Sequence, residues 1–112
     1  MSIEAVVQRQ FEAYNAHDLQ RFLAQYAEEI HTYRPPAAEP VLVGKAAFAE
    51  FYATQRFNKP ELQATLVNRI TLGNKVIDHE RITGVQDQPF EVAIVYEVSN
   101  GVIVRTWTFA PA

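Results

Sequence analysis

Two carboxylates one residue apart, Asp78 and Glu80, lie in a segment, residues 75–84, whose pattern predicts a β-strand. Residues i and i+2 of a strand share a face and stand about 7 Å apart. Turned into an apolar interior, each acid is costly to ionise, and each opposes the other's charge. At least one should then titrate well above the usual carboxylate range, where it can give or take a proton near neutral pH. Asp78 and Glu80 are therefore the candidate catalytic residues. Tyr14, Tyr52 and Tyr96 could donate hydrogen bonds to a substrate oxygen. Arg105 could pair with one carboxylate and leave the other to titrate, and Trp107 could supply an apolar wall. A plainer reading stands beside this one. Either acid with Arg105 makes a structural buried ion pair, and Tyr14, Tyr52 and Trp107 are core side chains.

Elimination narrows the remaining chemistry. The two serines, Ser2 and Ser99, sit at the N-terminus and at a hairpin turn, and no G-x-S-x-G elbow is present. Lys45, Lys59 and Lys75 fall at a helix start, in a loop and at a hairpin, so none has the buried setting of a Schiff-base lysine. No phosphate-cradling glycine loop or dinucleotide fingerprint occurs, so no cofactor is expected. The three histidines, His17, His31 and His79, lack ligand spacing, and His79 points to the opposite strand face from Glu80. No metal is expected. The absence of cysteine removes thiolate chemistry and disulfides.

The positioning elements follow from periodicity. Ile3, Val6, Val7, Phe11 and Tyr14 recur at helical spacing, which predicts a helix over residues 3–15 with Ser2 as its N-cap. Asp18 caps a second helix whose stripe is Leu19, Phe22, Leu23 and Tyr26. Residues 30–34 read as extended, and Arg34 ahead of Pro35-Pro36 reads as a solvated or rim residue. Residues 41–43 suggest a short strand. Gly44 opens a third helix, with Phe48, Phe51 and Tyr52 on one face. The second half alternates instead: strands over 62–72, 75–84, 90–98 and 102–109 are separated by Gly73-Asn74, a loop at 85–89, and Asn100-Gly101. Helices first and strands later mean α+β, with the helices on one face of a curved antiparallel sheet.

Hairpin register then aims the side chains. A two-residue Asn100-Gly101 turn pairs Ser99 with Val102, and so places Val98 with Ile103, Tyr96 with Arg105, Ile94 with Trp107 and Val92 with Phe109 on the bulky, concave face. The first hairpin leaves two registers open. A two-residue loop sets Ile70 beside Ile77, His79 and Arg81. A three-residue loop with a bulge sets it beside Val76, Asp78, Glu80 and Ile82.

Val6-Val7-Gln8-Arg9, Tyr14-Asn15-Ala16, Asp18-Leu19, Gly44 and Glu50-Phe51-Tyr52-Ala53 resemble the front half of the ketosteroid isomerase and SnoaL-like proteins of the nuclear transport factor 2-like superfamily. The closing strand–Asn-Gly–strand resembles their back half. The resemblance implies a cone-shaped curved sheet wrapped around three helices, a pocket open at one end, and a dimer through the outer sheet face. It favours the register with Asp78 and Glu80 inward. It also implies that the steroid isomerase mechanism is missing. Where that family carries its oxyanion-hole tyrosine, its base aspartate and its protonated aspartate, this chain has Gln10, Arg34 and Ile94. Only the pocket tyrosine, Tyr52, matches.

The 112 residues suit one domain, 48% are hydrophobic, and the net charge of −3 comes with scattered cations. No basic stripe offers itself to nucleic acid, and no segment is long enough to cross a bilayer. The expectation is a cytoplasmic homodimer with a pocket for a small, mostly apolar ligand. Two functions fit: an enzyme for isomerisation, dehydration or water addition, and a ligand-binding or scaffold domain without chemistry.

Overall fold

The computed structural model describes residues 2–111. Helix α1 spans Ile3–Asn15 and buries Val6, Val7, Gln10 and Ala13 along one stripe. Ser2 caps it by accepting from the Ala5 N–H at 3.3 Å. Helix α2, Leu19–Leu23, is capped by Asp18, whose carboxylate accepts from the Arg21 N–H. Tyr26 does not continue this helix, as its spacing suggested, but opens strand β1, Tyr26–Tyr33. The Gln25 carbonyl accepts from the Ile103 N–H at 2.9 Å, which draws the chain into the sheet as soon as α2 ends. Strand β2, Leu42–Val43, and helix α3, Lys45–Gln55, meet at Gly44, whose φ of 88° suits glycine.

Strands β3 (Gln63–Leu72), β4 (Lys75–Thr83), β5 (Phe90–Ser99) and β6 (Val102–Phe109) form an antiparallel meander. The six-stranded sheet runs in the order β2-β1-β6-β5-β4-β3, with β1 parallel to β6. The helices cover its inner face. Val6, Val7, Phe22, Phe48, Val76, Val98 and Ile103 form the main core there, and Leu62, Ala64, Ile82 and Val92 form a second cluster. No helix among the described residues is long and apolar enough to cross a membrane.

Two β-bulges change what the turns alone would dictate. The Gly73-Asn74 loop has two residues, so Ile70 stands opposite Ile77 and is 52% exposed. Asp78 and Glu80 nevertheless face inward, along with Val76 and Ile82. The extra residue lies not in the loop but in the strand, at Val67: Leu66 opposes Glu80 and Asn68 opposes His79. The second bulge is at Val104. Ser99 pairs with Val102 and Val98 with Ile103, as the turn requires, but Glu97 then opposes Arg105 and Tyr96 opposes Thr106. Arg105, Trp107 and Phe109 therefore point outward, and Thr106 and Thr108 take the inner positions.

Candidate active site

Glu80 is 4% exposed and Asp78 fully buried, side by side on the inner face of β4. Asp78 is committed to structure. Both its oxygens accept from Arg69, at 2.7 and 2.9 Å, and Arg69 also donates to Gln8 of α1 at 2.8 Å. Arg69 faces Asp78 across the β3–β4 ladder as the two-residue turn requires, and the Val67 bulge beyond it returns Leu66 and Ala64 to the inner face. Glu80 has no such cation of its own. Burial first, and the charge of Asp78 second, push its pKa up to about 8, and Arg69 offsets this only in part. Its carboxyl meets Asp78 and the Tyr96 hydroxyl, while Oε2 is buried with no hydrogen-bond partner among the described residues.

A directed chain of hydrogen bonds ends at this carboxyl. The Tyr26 hydroxyl donates to Gln10 Oε1 at 3.0 Å, and Gln10 Nε2 donates to Tyr96 Oη at 3.3 Å and to the Val7 carbonyl. Tyr96 thus accepts from Gln10 and keeps its own proton for Glu80. Burial holds the Tyr14, Tyr26, Tyr52 and Tyr96 hydroxyls above the usual tyrosine range, so all four remain protonated donors at neutral pH.

These groups surround a cavity of about 120 Å³ between α1 and the sheet. Its buried end is formed by Gln10, Tyr26, Glu80, Tyr96 and Thr106, and its apolar wall by Phe22, Ile82, Val92 and Ile94. Tyr14 and Tyr52 complete the lining, in edge-to-face contact at 6.5 Å. The more exposed end carries Arg34, Arg56 and Thr108.

Of the residues expected here, Glu80, Tyr14, Tyr52 and Tyr96 line the cavity, and Asp78 supports it from behind. Arg105 and Trp107 do not belong to it. Arg105 pairs with Glu97 on the outer face at 3.0 Å, and Trp107 stacks on Tyr33 of β1 at 5.5 Å. The Val104 bulge is the cause, and it leaves Arg69 rather than Arg105 as the cation for the acid pair. Gln10, Arg56, Thr106 and Thr108 are the lining residues that turn geometry and periodicity pass over. Opposite charges at Glu97 and Arg105 are the signal for the shifted β6 register, since directly opposed ion pairs favour one alignment.

Residues 7–106 match the SnoaL-like domain family. The chain belongs to the SnoaL-like family. Solved structures share its fold. A candidate ketosteroid isomerase from Kribbella flavida is 22% identical, with a TM-score of 0.84 over 98% of this chain and 78% of that one. A cystatin-fold protein from Novosphingobium aromaticivorans is 21% identical, with a TM-score of 0.85 over 96% and 97%. AclR, a candidate hydroxylase from Streptomyces galilaeus, is 15% identical, with a TM-score of 0.79 over 97% and 88%. No curated protein matches the chain. In this SnoaL-like domain the three positions that differ from the steroid isomerase pattern, Gln10, Arg34 and Ile94, all line the cavity.

Proposed function

We propose that the cavity binds a small, mostly apolar molecule bearing an oxygen function, and that Glu80 moves a proton on it. The reaction class is isomerisation, dehydration or water addition. The observation that carries this reading is a carboxyl in the cavity lining, buried and raised to about 8. Because that value lies above neutral pH, Glu80 is there a carboxylic acid, able to donate to a substrate oxygen. Once it has donated, the Tyr96 hydroxyl stabilises the carboxylate. Tyr14 and Tyr52 supply further donors, and the surrounding aromatic groups limit water. Asp78 does not touch the cavity. It acts through Glu80, by keeping the proton there. The protein works as a dimer in this reading, joined through the outer sheet face.

A binding domain without chemistry is the second reading, favoured by the Arg69–Asp78 pair, which withdraws one of the two acids from reaction. Carbon-13 NMR of the glutamate side-chain carboxyls across pH 5–9 separates the two. A carboxyl titrating near 8 that disappears in Glu80→Gln supports proton transfer. Glutamates that all titrate near 4.5, with a variant that merely loses stability, leave only the binding domain.

A further inference from the structure

The charges around the cavity are not evenly placed. Its buried end holds Glu80, with Asp78 behind it, and its open end holds two arginines. Arg34 lies with its guanidinium carbon 6.0 Å from the centroid of Phe51, and Arg56 lies 5.3 Å from the same ring. Arg21, Lys45, Arg69 and Arg105 each reach an acidic side chain, but among the described residues Arg34 and Arg56 reach none. Arg56 spends one N–H on the Gln55 carbonyl and meets the Tyr14 hydroxyl. A guanidinium has five donors, so most remain for a ligand. Both arginines line the cavity, so its mouth carries two positive charges that an anion would offset.

Resting on the function proposed above, we infer that the ligand is a small amphipathic carboxylic acid, its apolar body in the cavity and its carboxylate held by Arg34 and Arg56 at the mouth. The opposite orientation is disfavoured, because it leaves both arginines at the mouth without the anion. An anion at the buried end would stand beside Asp78 and Glu80, and a neutral carbonyl or hydroxyl there would instead receive the Glu80 proton. The size sets an upper limit: an apolar cavity of roughly 150 Å³ takes up benzene, so about 120 Å³ admits at most one ring or a short branched chain, with the carboxylate outside at the mouth. Carboxylate is favoured over phosphate because the chain has no glycine-rich phosphate loop.

The test uses 4-acetylbenzoate, which carries a ketone opposite its carboxylate, and 4-acetylbenzamide, the neutral counterpart. Calorimetric titration at pH 6.5 should find the acid bound about tenfold more tightly than the amide, the effect of one charge-assisted contact. In Arg34→Gln and Arg56→Gln that preference should vanish, while the thermal melt and near-ultraviolet circular dichroism of each variant match the parent. Matching melts and spectra certify that the variants are folded, and Arg34, being exposed, is the safer of the two. Equal binding of acid and amide to the parent protein overturns the carboxylate assignment and leaves the Glu80 reading intact. An acid preference that survives both substitutions overturns it too. If neither molecule binds, the inference falls, and the separate Glu80 titration decides whether the proposed function falls with it.

Discussion

At the scale of single residues, the site turns on one proton. Folding raises Glu80 from an ordinary 4.5 to about 8, so the folded state holds this proton more tightly than the unfolded chain. Its contribution to stability is complete below pH 4.5, is lost as pH rises toward 8, and is flat above. Glu80→Gln keeps the shape and removes the titration. Thermal melts from pH 5 to 9 should show the parent protein losing ground to this variant across that window, by an amount on the order of a few kcal/mol, with Glu80→Gln the more stable at pH 9. Asp78 sets the same proton as its immediate neighbour. Asp78→Asn removes a neighbouring charge and turns Arg69 toward Glu80, and both effects lower the Glu80 titration, which carboxyl NMR reads directly. Breaking a buried pair costs about 3–5 kcal/mol. Here the loss should be smaller at pH 9 than at pH 5, because an ionised Glu80 can take over Arg69.

At the scale of elements, the caps, the Asn100-Gly101 turn and the order of helices and strands were legible because each has a local cause, whereas the length of the first hairpin loop was left open between two and three residues. Ser2 and Asp18 carry capping oxygens, Asn100 and Gly101 adopt φ of 53° and 80°, and alternation marks the strands. The bulges were not legible. Val67 and Val104 are ordinary strand residues, and alternation continues on both sides of them with its phase reversed. What selects the bulge at Val104 is a long-range comparison. A straight ladder would bury the Arg105 guanidinium in the cavity, whereas the bulged one gives it Glu97 outside and puts Thr106 within. Hence the lining by Glu80, Tyr14, Tyr52 and Tyr96 could be found from sequence, and Arg69 opposite Asp78 follows from the two-residue register, but the exchange of Arg105 for Thr106 could not be found. The wall of the cavity depends on another element-scale contact. Asn15 brackets Ala64 with two hydrogen bonds, at 2.9 and 2.7 Å, and Gly84 packs against Glu61 and Leu62. A Cβ on Gly84 would meet the Glu61 carbonyl oxygen at 2.0 Å, at a φ of 84°. Gly84→Ala should therefore cost about 2–4 kcal/mol in denaturant titrations. Gly101→Ala shares the positive φ but has nothing within 4 Å, so it should cost only about 1–2 kcal/mol.

At the scale of the whole molecule, the sheet has two working faces. The inner one is filled by helices and the cavity. The outer one leaves Ile70, Leu72 and Phe109 exposed, at 52%, 71% and 44%, around half-buried Ile77, Val95 and Trp107. These residues run across the β3–β4–β5–β6 ladder, with Ile77 opposite Val95 and Val95 opposite Trp107. A contiguous apolar surface of this kind is unfavourable in water and is relieved by association. A second copy is the simplest cover, since a two-fold axis sets the same patch against itself. Val95 lies near its middle. Light scattering should give the parent protein twice its 12.7 kDa chain mass, and Val95→Glu, which brings two carboxylates together across the axis, should run at the single-chain mass. A parent protein of single-chain mass at micromolar concentration would end the dimer proposal. Because Val95 points away from the cavity, the Glu80 titration should persist in the dissociated variant. A dimer contact that also set the acid pair would move that titration with the mass, and would place the control of the Glu80 proton outside the single chain.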